Sequence, residues 1–477
     1  MSSRPSAPVL LWAVLTVLGA AGLVVARDLL DVPLWATVAG AVAVAGVVLA
    51  AAVLGVDGLA VLLLVLAVGT STWNAVAAGP VKPGPVLLAA SVVLLLVLQA
   101  GAPERVRVPS WVWVLGGTIL LVTVAAALFP PSIPYLAARF VSDHTYSLDQ
   151  LGTAWVLNLL EGAQWLVAAV ALPVAVCVAA RYRAGLLVVL VEAWIVGTAV
   201  NAGVGVADEW AGTGISRALI GTVDIGGRQA GLTVQPNHLA VAVAMTLPVA
   251  LWLALRGSRP VLMGACAVVA AVGLATTESR GGLAAAALAC GVVLLADRRA
   301  RSALPVLGVL GVAGAVLAVA LFPDRLLRLA EGLRLVGAAS ARESNSIRVM
   351  ILHQALADFT HAPVLGVGLE VVVQGHNIWL QLLASGGVVL LTGFLVACVG
   401  FALDARATRG GATDLSTALL VSVGTWLGVG VVENNLTDLF LYVPFAVVAA
   451  MRATTPPDTG PPADPVPVHL TTGELRP

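Results

Sequence analysis

Charge is what this 477-residue sequence has least of. Asp, Glu, Lys and Arg make up 10% of it, against roughly 25% in soluble domains, which excludes a water-soluble globular fold for the chain as a whole. Lysine is almost missing, and Lys82 stands alone among the arginines. The formal net charge is +0, so no basic face exists to neutralise phosphates along a duplex, and a nucleic-acid partner is excluded. Cysteine is scarce too. Cys177, Cys266, Cys290 and Cys398 each lie inside an apolar run, with neither a metal-ligand spacing nor a disulfide framework, and read as small buried hydrophobes.

What is abundant is grease. The chain is 60% hydrophobic with a mean hydropathy of +1.01. A spanning helix needs about 20 apolar residues, and candidate runs lie at 8–26, 33–55, 59–78, 84–101, 111–129, 157–180, 184–206, 237–255, 260–277, 281–296, 303–322, 377–403, 413–432 and 439–451. The expected fold is therefore all-α, a polytopic membrane protein of about 12–14 transmembrane helices. The first run also has the form of a signal peptide ending at Ala26, which leaves the later topology unchanged.

Arginine sets the orientation. Arg105 and Arg107, Arg181 and Arg183, Arg256 and Arg259, Arg298, Arg299 and Arg301, and Arg406 and Arg409 all fall in short loops on one side. The positive-inside rule makes that side cytoplasmic, together with both termini. Longer external segments follow at 130–156, 207–236 and 323–376. Residues 1–452 read as one membrane domain, and the proline-rich 453–477 as a disordered cytoplasmic tail.

Three stretches then meet on the outer face. "GGRQAGLTVQPNHLA" leads from a loop into a helix near Asn237; "TTESRGGLAAA" is a tight turn carrying Arg280; and "SNSIRVMILHQALADFTHAPVLGVGL" precedes Gly375-His376-Asn377. Arg228, Arg280, Arg348 and His376 thus share the outer boundary. Singly, each has a plainer role: an arginine snorkels to lipid phosphate, Arg348 rides the solvated face of an amphipathic helix from near Ser344 or Ser346, and Asn237 and Asn377 cap helices. Together, several guanidiniums suit an anion rich in oxygen, such as a diphosphate. Glu433 and Asn434, at an outer helix end, are candidates to line the same cavity. No Asp-x-Asp or histidine-rich cluster occurs in the outer loops.

The pattern R-x-x-G-x-x-x-x-P-N-x-x-A (Arg228, Gly231, Pro236, Asn237, Ala240), the S-R-G-G turn (Ser279 to Gly282), P-x-x-G-x-G (Pro363, Gly366, Gly368) and H-N-x-x-L-Q (His376 to Gln381) resemble the O-antigen ligase and O-antigen polymerase superfamily over about 225–395. The resemblance implies a GT-C-like fold with a large external loop at 323–376, and a glycosyltransferase needing no metal or cofactor. Its donor is a polyprenyl-diphosphate-linked glycan and its acceptor a glycan or lipid-glycan, met outside the cytoplasmic membrane. It implies diphosphate binding by Arg228 and Arg280, a further arginine at Arg348, and the ligase histidine at His376. That histidine acts either as general base or by holding the acceptor. Leu390 stands where ligases carry Gly, Thr or Tyr, a departure that weighs against a ligase relative to a polymerase or another member, with the choice between them open. The alternative from another class is a transporter of a small solute such as inorganic carbon, for which Glu161 and Glu192 inside spans are the supporting residues.

Overall fold

The computed structural model describes residues 53–76, 82–100, 105–132, 154–183, 185–221, 228–296, 339–369, 376–408 and 415–454, with a few isolated positions besides. The spans expected at 8–26 and 303–322, most of 33–55, the loop residues 323–338 and the tail after 454 lie outside them.

Within the described residues the apolar runs fold as helices and no strand forms. They are α1 (Val53–Gly69), α2 (Pro83–Ala100), α3 (Ser110–Leu128), α4 (Trp155–Ala179), α5 (Leu186–Ala211), the short α6 (Ile215–Ile220), α7 (Pro236–Arg256), α8 (Pro260–Thr276), α9 (Arg280–Ala296), α10 (Ala339–His361), α11 (Ile378–Ala407), α12 (Leu415–Val429) and α13 (Leu439–Thr454). Six of them are long and apolar enough to cross a membrane. The chain is an all-α, multi-pass membrane protein. Proline opens α2, α7 and α8, where the amide it lacks would have had no partner within the helix.

One expected span is divided. The run at 59–78 stops as a helix at Gly69, and residues 70–76 turn back instead. Thr70 and Ser71 hydroxyls donate to the Leu66 and Val68 carbonyls at 2.8 and 2.7 Å, and Trp73 Nε1 donates to the Gly197 carbonyl at 3.0 Å. These bonds give the backbone an alternative to continuing the helix.

The core is built around α7, which packs against α5, α8, α9 and α12. Its alanines allow close approach, the usual way helices associate where no hydrophobic drive separates protein from lipid. Between α3, α11, α12 and α13 the filling is aromatic: Trp426 meets Phe394, Tyr442 and Phe445 edge-on, and Trp111 of α3 meets Phe445 likewise. Leu96, Leu121, Leu288 and Leu403 point outward and stay exposed, as lipid-facing positions do.

Polar groups sit at the two ends. At one end Glu192 of α5 is buried and paired with Arg259 at 3.1 Å. Glu161 of α4 lies toward the other end, hydrogen-bonded to Thr437. Each is about 9 Å from its helix terminus by helical rise, not at mid-depth, and Glu192 already has a counter-ion.

The most consequential irregularity is in α11. Gly387 has φ 62°, a left-handed break inside the helix. The opened backbone is bonded by the segment after α10: Val367 and Gly368 amides donate to the Ala384 and Ser385 carbonyls at 2.9 and 3.1 Å, and Val388 donates to the Pro363 carbonyl at 2.9 Å. A Cβ at Gly387 would lie 2.3 Å from the Val364 carbonyl group. Gly387→Ala is therefore expected to cost several kcal/mol, about 3 or more, from steric and left-handed strain together. Gly424→Ala in α12, where a Cβ meets nothing within 4 Å, is expected to be neutral or mildly stabilising. Thermal unfolding of the two variants in detergent checks the contrast; equal melting temperatures would contradict it.

Candidate active site

Residues 70–76 after α1, the links α8–α9 and α12–α13, the N-termini of α7 and α11, and helix α10 converge at the end away from the Glu192–Arg259 pair. Asn201, fully buried in α5, organises two of these segments. Its Oδ1 accepts from the Leu232 amide at 2.6 Å and its Nδ2 donates to the Thr72 carbonyl at 2.9 Å. Gly231 (φ 58°) passes so close to Asn201 that a Cβ would come within 2.4 Å of its Oδ1.

That turn sets up Arg228. Its Nε donates to the Thr277 carbonyl at 2.8 Å and its Nη2 to Asn237 Oδ1 at 2.6 Å. Asn237, at the start of α7, hydrogen-bonds onward to Glu433. Asn237 therefore links a guanidinium to a carboxyl rather than capping α7, whose N-cap position is Gln235 with no side-chain cap bond. Asn377 does cap. Its Oδ1 accepts from the Trp379 and Leu380 amides at 2.9 and 3.0 Å, and its Nδ2 donates to the Val431 carbonyl at 3.1 Å.

Glu433 is buried at 7% exposure, surrounded by His238, Arg348 and Arg228 as well as Asn237. Burial dominates and pushes its carboxyl above the ordinary range, although those cations and the Asn237 bond pull the other way. His376 sits just before α11 with φ 45°. Its Nδ1 is buried and has no hydrogen-bond partner among the described residues. Burial, then the charges of Arg348 and His238, hold the imidazole below its usual range, so it is neutral and able to accept a proton at physiological pH.

Arg348, half-buried on α10, makes no hydrogen bond or ion pair with the described residues but lies within electrostatic reach of His376 and Glu433. Arg280, the first residue of α9, is exposed and likewise unbonded among the described residues. Its neighbour Gly281 packs closely on Val432, next to Glu433: a Cβ there would lie 3.3 Å from Val432 Cγ2, tighter than ordinary contact. Arg228, Arg348, His376, Asn237 and Glu433 thus form one cluster; Arg280 stands at its rim, and Asn377 holds the helix below it. Leu390, at the position where it departs from the ligase pattern, is fully buried on α11 against Gly386.

Three further members of the cluster carry no motif that marks them in the sequence. His238 is one residue beyond Asn237, and its Nδ1 lies 3.4 Å from Asp438 Oδ2. Asn74 Nδ2 donates to the same Oδ2 at 2.8 Å. The signal available was His238 itself, a histidine on the first turn of a helix whose start was already suspected of lining the outer site.

Residues 265–395 match the protein family described as O-Antigen ligase. The match takes in Arg280, Arg348 and His376. No curated protein matches the chain.

Asn237→Ala tests the bracing of the cluster. It removes the acceptor from Arg228 and the donor from a buried carboxyl, so a loss of about 1–3 kcal/mol is expected. A melting temperature unchanged from wild type would show that Arg228 and Glu433 are held by something else.

Proposed function

We propose that this protein, whose residues 265–395 match the O-antigen ligase family, transfers or polymerises a polyprenyl-diphosphate-linked glycan on the outer face of the cytoplasmic membrane. What supports the reading is a histidine, His376, whose buried Nδ1 has no bond among the described residues and which has Arg348 beside it, with Arg228 joined through Asn237 to Glu433 in the same cluster and Arg280 at its rim. Two of those guanidiniums, Arg280 and Arg348, are not committed to any described residue, so their charge and donors are available to a ligand.

The chemistry follows from that arrangement. As the acceptor hydroxyl bonds to the anomeric carbon, the bond to the diphosphate breaks and its electron pair leaves on the phosphate oxygen. Cations already aimed at that oxygen stabilise the transition state without reorganising. Arginine stays charged at any physiological pH and grips phosphate with two parallel donors, so it can do what a divalent ion does in other sites. His376 neighbours the departing group, neutral and desolvated, and either takes the hydroxyl proton or fixes the hydroxyl by hydrogen bonding. The acceptor is a glycan or lipid-glycan, and Leu390 keeps both ligase and polymerase in play.

Arg280→Lys keeps one charge and loses the paired donors. A charge-assisted hydrogen bond to a desolvated anion is worth about 1.5–3 kcal/mol, so glycan transfer is expected to fall roughly ten- to a hundredfold. Arg280→Ala and His376→Ala should fall further, with the protein still inserted. Arg256→Ala and Arg406→Ala, at the opposite end, should stay near wild type. Normal transfer by Arg280→Ala and His376→Ala at normal protein levels would overturn the proposal. Chelation by EDTA should leave transfer unchanged; a strict requirement for added divalent cation would contradict catalysis by arginine alone.

Orientation has its own test. A cysteine at Ile215, exposed on α6, should react with an impermeant thiol reagent in intact cells. Reaction only after lysis would place the cluster on the wrong side of the membrane.

A further inference from the structure

The site contains a second imidazole with better support than the first. His238 stands on the first turn of α7, its side chain mostly buried, with Nδ1 3.4 Å from Oδ2 of Asp438. Asp438 is itself buried at 7% exposure and takes a bond from Asn74 Nδ2 at 2.8 Å. Asn74 is anchored in turn, because its Oδ1 accepts from the Val234 amide at 3.0 Å. The carboxylate is thus held against one edge of the ring, which leaves Nε2 for other partners.

The charges around the two histidines differ in sign. His376 has Arg348 and His238 as its electrostatic neighbours, and no carboxylate is hydrogen-bonded to it among the described residues. A proton arriving there builds a cation among cations. His238 has Asp438 in contact and Glu433 nearby, with Arg348 and Arg228 beyond Glu433, His376 alongside, and Lys82 and Glu161 behind Asp438. Burial pushes the Asp438 carboxyl up, but the hydrogen bonds of His238 and Asn74 and the charges of His238 and Lys82 bring it below the ordinary carboxylate range. It is an anion at neutral pH.

We propose, on the glycosyl-transfer reading above, that His238 takes the proton of the incoming hydroxyl while Asp438 fixes its ring and compensates the imidazolium, and that His376 orients the hydroxyl by hydrogen bonding. In the step, the hydroxyl oxygen bonds to the anomeric carbon as the bond from that carbon to the diphosphate breaks. The electron pair leaves on the diphosphate toward the arginines, the proton passes to His238 Nε2, and water later removes it. A positioned base backed by a buried carboxylate is the arrangement that stabilises a transient imidazolium best.

The pH dependence of transfer separates the two histidines. Purified protein in detergent is assayed with lipid-linked glycan extracted from the cells that make it. In wild type the rate falls on the acid side as the base is protonated. His238→Gln should lose about a hundredfold or more in kcat and lose that acid limb. Asp438→Asn should be slower, with the limb moved to lower pH, because removing the anion makes the imidazolium easier to deprotonate. His376→Gln should keep the limb and show its loss mainly in KM, since an amide still hydrogen-bonds a hydroxyl. Near-normal transfer by His238→Gln, or a limb that survives His238→Gln and vanishes in His376→Gln, would overturn the assignment. Should Asp438→Asn fail to insert, the two histidine variants decide alone. An inactive wild type contradicts the glycosyl-transfer reading itself, whereas an active one with an indifferent His238 overturns only this inference.

Discussion

A helix that breaks inside an apolar protein leaves amides and carbonyls with no water to bond them, and at Gly387 the segment from Pro363 to Gly368 supplies the partners. Much of the site depends on that exchange. It ties the end of α10, which carries Arg348, to the first half of α11, which begins beside His376. The other side of the same half-helix is tied down through Asn377 and through the Ile378 amide, which donates to the Gly430 carbonyl at 2.7 Å. Residues 388–407 alone span about 30 Å as a helix, so the part of α11 before the break is free to serve the site rather than the bilayer.

Electrostatics then divides the work among the arginines. Arg228 is committed to Thr277 and Asn237, and through Asn237 to Glu433, so it holds three chain segments in register. Arg280 and Arg348 are uncommitted among the described residues. Burying Glu433 and Asp438 among cations keeps the cluster from being purely positive, which limits the self-repulsion a ligand-free site must bear. The two acids sit differently: one is raised by burial, the other held down by hydrogen bonds. Environments that push neighbouring groups apart in this way are typical of sites that move protons.

The helices were legible because apolar length is a local property, and their ends were legible where proline or asparagine marks them. Asn377 shows this well, since its capping bonds use only its own next turn. Legibility failed where residue partners come from distant segments. Asn74 looked like the interior of a span, yet its side chain bonds Asp438 and the 234 amide from a turn that local sequence does not announce. His238 was in plain view, but its significance rests on Asp438, 200 positions further along. Glu192 read as a functional suspect because a carboxylate in a span needs explaining; Arg259 explains it, two helices later.

The most direct test of the central claim is a cryo-electron microscopy structure of the protein in lipid nanodiscs with a non-hydrolysable polyprenyl-diphosphate sugar. The account predicts diphosphate oxygens within hydrogen-bond distance, about 2.7–3.2 Å, of the Arg280 and Arg348 guanidiniums, with the anomeric carbon facing His376 and His238. Diphosphate density at the Glu192–Arg259 end, or a donor bound with neither arginine in contact, would contradict it.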